Sequence, residues 1–140
     1  MSKVAVVFWS GTGNTQMMAQ AVAKGAESKG AEVTLLGPGE FGKDLVSGFD
    51  GIAFGCPAMG AEVLEESEFE PMFTEVEAAL SGKKIGLFGS YGWGDGQWMR
   101  DWEERCLNVG AKLVAGCIIA NYAPGESELD ECKSLGAALA

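Results

Sequence analysis

Residues 3–9 read KVAVVFW, with apolar side chains at every position after Lys3, and a helical pattern begins at Asn14. A strand that is apolar at consecutive positions has no wet face. Such strands belong to parallel sheets covered on both sides. The same switch recurs along the chain. Met18, Ala21, Val22 and Gly25 fall at i, i+3, i+4 and i+7, one face of a helix that stops near Gly30. Residues 31–37 (AEVTLLG) and 51–56 (GIAFGC) read as the second and third strands. Phe69, Met72, Phe73, Val76 and Leu80 form the next helical stripe, which ends at Ser81 and Gly82. Residues 83–89 (KKIGLFG) are a fourth strand and 111–120 (AKLVAGCIIA) a fifth. Between them Trp98, Trp102, Cys106 and Val109 share a helix face, and Leu129, Cys132, Gly136 and Leu139 close the chain as a last helix. Residues 38–50 are too weakly periodic to separate a loop from a short helix.

This alternation predicts an α/β fold, a doubly wound five-stranded parallel sheet with helices on both faces. Ligands of such sheets sit beyond the carboxyl ends of the strands, where the winding reverses. The loops after the first, third and fourth strands are therefore the place for a site.

The totals narrow the function. A chain of 140 residues with 47% hydrophobic content suits one domain, residues 1–140, with one core. No stretch is long enough and apolar enough to span a membrane. The N-terminus lacks the apolar region and cleavage site of a signal peptide, so a cytoplasmic location is expected. The chain has no histidine, which excludes Ser-His-Asp triads and histidine acid–base chemistry. Cys56, Cys106, Cys117 and Cys132 form no CxxC pair, so the usual zinc and iron–sulfur spacings are missing and the thiols read as small buried apolar groups. A net charge of -10 disfavours nucleic acid and favours a basic protein partner.

The first loop, residues 10–15 (SGTGNT), joins a strand to a helix N-terminus, where unpaired amides and the helix dipole receive an anion. Gly11 and Gly13 let the backbone curl, and Ser10, Thr12, Asn14 and Thr15 add neutral donors. It is not a P-loop, because no lysine is present, and Gln16 occupies the third glycine position of a dinucleotide fingerprint. The second loop is residues 56–62 (CPAMGAE). The third, 89–98 (GSYGWGDGQW), sets Tyr91 and Trp93 among glycines, a setting that suits a surface stacking on a planar ligand. Trp98 and Trp102, at helical spacing, read as core.

Together, FWSGTGNT, PAMGAEVLEESEFEP and FGSYGWGDGQWMRDWEERC resemble a flavodoxin of the short-chain type found in anaerobic bacteria, in order and across essentially the whole chain. The resemblance implies the strand order 2-1-3-4-5, which is the example generally given for this fold, and a non-covalently bound FMN. Residues 10–15 would then wrap the terminal phosphate with uncharged donors alone. Pro57, Ala58, Met59, Gly60 and Glu62 would contribute from the second loop, and Ser90, Tyr91, Gly92, Trp93 and Gly94 from the third. Trp93 would stack on one face of the isoalloxazine and Met59 cover the other. Glu62 would accept from N3–H, and Gly60 would lie beside N5. Amides of residues 90–93 would meet the pyrimidine oxygens. For Trp9 a place near the phosphate and a place in the core are equally open.

By the same resemblance, the peptide after Gly60 flips on one-electron reduction, so that its carbonyl accepts the new N5–H and favours the semiquinone. Gly60 would be position i+1 of a II′ turn over residues 59–62, which needs φ above zero. A fully reduced, anionic ring beside the phosphate, Glu62 and an acidic surface resists the second electron. The implied role is a low-potential one-electron carrier, not an enzyme, that shuttles between semiquinone and hydroquinone and substitutes for ferredoxin. Its implied partners are basic surfaces of redox proteins of the 2-oxoacid oxidoreductase, hydrogenase, nitrogenase or flavodoxin reductase type, met as a monomer. The sequence departs from the family at Ala61, where relatives often carry Asp or Asn, and at Pro57, where a small polar residue can occur.

Three rival readings stand beside this one, the first two on the same topology. An FMN-dependent quinone or flavin reductase needs room for a second substrate, which 140 residues and Trp93 over one flavin face leave little of. A receiver domain needs an Asp ending the third strand and an acidic pair after the first, where AFGCP and FWSG stand. A low-molecular-weight phosphatase needs Cys and Arg in the first loop.

Overall fold

The computed structural model describes residues 2–11, 13–60 and 63–140. Its strands are β1 (Lys3–Phe8), β2 (Glu32–Leu36), β3 (Gly51–Gly55), β4 (Lys84–Tyr91), β5 (Lys112–Leu113) and β6 (Ile118–Asn121). Its helices are α1 (Asn14–Glu27), α2 (Lys43–Val46), α3 (Phe69–Val76), α4 (Gln97–Asn108) and α5 (Glu126–Leu139). The strands form one sheet in the order β2-β1-β3-β4-β5, with β6 also on β4, and every named pair is parallel. The expected architecture and strand order are both present. The winding reverses at β1, which has β2 on one side and β3 on the other.

Alternate residues of each strand supply two separate cores. Ala5, Val7, Ile52, Phe54, Ile85 and Leu87 face α3 and α4, where Phe69, Phe73, Trp98 and Trp102 pack. Phe69 and Phe73 meet Trp102 edge-on, at 5.5 and 5.6 Å between ring centroids. Val4, Val6, Ala53, Phe88, Ile118 and Ala120 face α1 and α5, against Met18, Val22, Leu135 and Leu139. On that side the two helices cross backbone to backbone. A methyl added at Gly136 would stand 1.9 Å from the Val22 carbonyl oxygen, and one at Gly25 would stand 1.9 Å from that of Lys133.

One open reading is decided and one expectation is corrected. Residues 38–50 hold a 3-10 turn (Pro38–Glu40) as well as the one-turn helix α2. The fifth strand, expected to run unbroken over 111–120, is split into β5 and β6. Leu113 pairs with Ile85 and Ile118 with Phe88, so Gly86 and Leu87 of β4 face the longer stretch 114–117. The surplus backbone leaves the ladder there, as in a bulge.

Three of the four cysteines are buried and Cys117 is half-buried, its Sγ donating to Glu103 Oε2 at 3.3 Å. Burial pushes all four thiols up to about 12, so they remain protonated and unreactive. On the helical face over α3 and α4, Arg105 bonds Glu70 and Glu77 and lies 4.9 Å from the centre of the Phe73 ring. Hydrogen bonds from Arg105 hold the Glu70 carboxyl below its ordinary range, against the effect of burial.

Candidate functional site

Three loops leave the carboxyl ends of β1, β3 and β4 side by side, because these strands are neighbours in the sheet. The loop after β1 opens with Trp9, whose amide donates to Gly55 O at 3.0 Å. Its indole lies over Gly11, where an added methyl would come within 3.0 Å of the ring. Gly13 is the N-cap of α1 with φ 96°, a conformation that glycine reaches without strain. Ser10 Oγ accepts from the amides of Gly13 and Gln16 at 3.1 and 3.3 Å and so draws the loop around itself. Thr15 is buried at the start of the helix. Its hydroxyl is 3.1 Å from that of Ser90, a link between the first turn of α1 and the end of β4.

The loop after β3 continues the ladder to β4, through Cys56 N to Phe88 O at 3.1 Å and Ala58 N to Ser90 O at 3.0 Å. Trp98 Nε1 donates to Cys56 O at 3.2 Å from beneath. Met59 and Val63 then bond reciprocally, N to O, at 2.8 and 2.9 Å. Gly60 has φ 51°, the sign expected for it. The pairing closes the hairpin on Val63, and the expected turn over 59–62 includes two residues outside the described ones. Thr12, Ala61 and Glu62 lie outside the described residues, so the phosphate role of Thr12 and the N3 role of Glu62 stay with the sequence.

Just beyond this hairpin, Glu65 is 6% exposed. Burial works against its ionisation, but the Ser67 hydroxyl and the amides of Phe69, Ser67 and Glu68 all donate to its carboxylate. The donors prevail and hold the carboxyl below its ordinary range. Glu65 thereby caps the start of α3.

The loop after β4 carries Trp93, 55% exposed, with its Nε1 donating to Gly60 O at 3.2 Å. This bond ties the second loop to the third. Gly94 and Gly96 take φ of 79° and 92°, and Gly96 caps α4.

The loops enclose a cavity of about 310 Å³. Gly11 and Asn14 line it from the first loop, Pro57, Ala58 and Met59 from the second, and Ser90, Tyr91, Gly92 and Trp93 from the third. Ser10, Gly13, Thr15, Gly60 and Gly94 shape its surroundings without lining it. Two further residues line it, Trp9 and Tyr122, of which Tyr122 was not expected. Trp9 packs on the core and also lines the cavity, while its place near the phosphate stays with the sequence. Tyr122, in the loop after β6, lines it from a fourth direction. Among the described residues, no charged side chain lines the cavity.

The comparisons with known proteins bear on this geometry. A family model described as Flavodoxin matches residues 6–136. The chain belongs to the flavodoxin family. It is 47% identical to a flavodoxin of Clostridium beijerinckii, over 96% of this chain and 97% of that one. It is 46% identical to the flavodoxin of Megasphaera elsdenii, over 98% of each. The solution structure of the two-electron reduced Megasphaera elsdenii flavodoxin superimposes with a TM-score of 0.89 at 45% identity, covering 97% of both chains. FMN is the cofactor of this family, and electron transport between redox proteins is its role. Among the described residues no helix is long and apolar enough to cross a membrane.

The donor set suits FMN on its own chemistry. An aromatic and thioether-lined slot takes a flat heterocycle, and the N-terminus of α1 offers amides and neutral side chains to a phosphate dianion.

Proposed function

We propose that the cavity holds FMN with its phosphate at the start of α1 and its ring between the second and third loops. The observation that carries this reading is the cavity itself. It lies at the reversal of the sheet, is walled by Trp93, Tyr91 and Met59, carries no described charge, and reaches Gly11 and Asn14 at a helix N-terminus. Residues 10–15 bind the phosphate, with Ser10 Oγ and the loop amides exchanging their mutual bonds for bonds to its oxygens. Trp93 and Met59 cover the ring and exclude water from it. Gly60 presents its peptide beside N5, Glu62 accepts from N3–H, and the amides of residues 90–93 meet the pyrimidine oxygens.

FMN supplies one-electron chemistry when bound, and the protein sets the energy of each step. With FMN bound, the net charge of -10 and the lack of a described cation in the cavity wall would oppose the second electron and lower its potential. This supports a low-potential carrier that cycles between one-electron and two-electron reduced forms, stands in for ferredoxin, and is not itself an enzyme. The acidic surface favours docking, as a monomer in the cytoplasm, on basic faces of 2-oxoacid oxidoreductase, hydrogenase, nitrogenase or flavodoxin reductase partners.

Titration of the ligand-free protein with FMN tests this reading. Uptake at one FMN per chain with quenched flavin fluorescence is expected, and riboflavin, which lacks the phosphate, should bind far more weakly. A protein that takes up no FMN refutes the reading.

A further inference from the structure

Tyr122 breaks a backbone rule at the mouth of the cavity. With φ at 60°, it is the one non-glycine residue in the left-handed region among the described residues. That conformation is costly for an aromatic residue, tolerable for asparagine and free for glycine. Strain of this kind persists where the surroundings dictate it, and it gathers at ligand sites.

The surroundings here are explicit. Asn121 is the last residue of β6 and pairs with Tyr91. The Tyr122 amide then donates to Tyr91 O at 2.7 Å, which carries the ladder one residue further and fixes the backbone. The ring is placed over Gly92, where an added methyl would stand 3.3 Å from Cε1. Yet Tyr122 remains 64% exposed and lines the same cavity as Tyr91 and Trp93. An aromatic that served the fold would be covered by it. This one is anchored through its backbone, set over a residue without a side chain, and left open towards the cavity.

We propose that Tyr122 is a binding residue whose ring forms a further aromatic wall against the planar ring system of the ligand, an inference that rests on the FMN reading above. The strained backbone is then the means of aiming the ring, and its cost falls on the fold while its benefit falls on binding.

Two variants separate this from a structural role. Tyr122→Asn removes the ring and suits the positive φ, whereas Tyr122→Phe keeps the ring. Each is measured for the melting temperature of the ligand-free protein and for FMN and riboflavin affinity by flavin fluorescence. Tyr122→Asn should melt no lower than the parent while its FMN affinity falls about 3- to 10-fold, the range of one aromatic contact. Riboflavin should lose the same factor, because the contact is to the shared ring. Tyr122→Phe should stay within about 2-fold of the parent for both ligands, since it keeps that aromatic face. Unchanged FMN affinity in Tyr122→Asn overturns the inference, as does a fall in melting temperature together with affinity. A loss for FMN without a loss for riboflavin overturns it too. If the parent itself takes up no FMN, the cofactor reading fails first and this inference falls with it.

Discussion

Replacing Trp93 by Phe and by Ala divides what the indole contributes to ligand binding from what it contributes to the fold. Trp93 does two separable things: its ring lines the cavity, and its Nε1 donates to Gly60 O at 3.2 Å. An aromatic face against a planar ligand is worth about 0.5–1.5 kcal/mol beyond the area it covers. A neutral hydrogen bond is worth about 0.5–1.5 kcal/mol net. With the indole 55% exposed, the lower half of that second range applies. Trp93→Ala removes both. The bond is already made in the ligand-free protein and counts towards its stability, so the lost face alone sets the loss of FMN affinity, about 0.5–1.5 kcal/mol or roughly 2- to 13-fold. Trp93→Phe keeps an aromatic face and loses the bond, so FMN affinity should stay within about 2-fold of the parent while the ligand-free protein loses about 0.5–1 kcal/mol of stability. Titrating each ligand-free variant with FMN and following flavin fluorescence gives the affinities, and thermal denaturation of the same ligand-free variants gives the share of the bond. A Trp93→Ala variant that binds FMN as tightly as the parent would refute the role of the ring. A Phe variant as weak as the Ala variant would refute the division between ring and bond.

Other outcomes follow from the same structure. Gly136→Ala puts a methyl 1.9 Å from Val22 O, so α1 and α5 must separate; a loss of about 3 kcal/mol or more, and a melting temperature lower by roughly 6–12 °C, is expected on thermal denaturation. Because the folded-state value of Glu65 is lowered, its contribution to stability is full above the unfolded value of about 4.3 and is lost as pH falls through the folded one. Glu65→Gln should therefore flatten the acid limb of a stability-against-pH curve below about pH 4.3, and an unchanged limb would contradict its role as the cap of α3. Gly60→Ala meets no neighbour within 4 Å but must hold φ at 51°, so oxidised FMN should still bind while less one-electron reduced flavin accumulates on titration. An unchanged yield would remove Gly60 from the account.

Much of this was legible because strand and helix periods differ. The alternation of Val4 and Val6 with Ala5 and Val7 sorts side chains onto two cores whatever the loops do. The glycines around Trp93 and in residues 10–15 marked two of the cavity walls. What was not legible depends on partners far away in sequence. Residues 114–117 read as strand because Val114, Ala115 and Cys117 are apolar; only the register against β4 shows that the backbone there is surplus. Glu65 stands in an acidic run that resembles a solvated face, and its burial comes from the turn into α3. The Thr15–Ser90 link joins residues that no local pattern relates. Tyr122 was missed because nothing in its residue type announces a positive φ, and its loop has no cluster of glycines to draw notice.

Anaerobic reduction of the FMN-loaded protein, followed across the visible spectrum, tests the electron-carrier account most directly. Two separated one-electron steps are predicted, with long-wavelength absorbance rising and then bleaching, and the second step at much the lower potential. A single two-electron step, or flavin that leaves the protein on reduction, would contradict it.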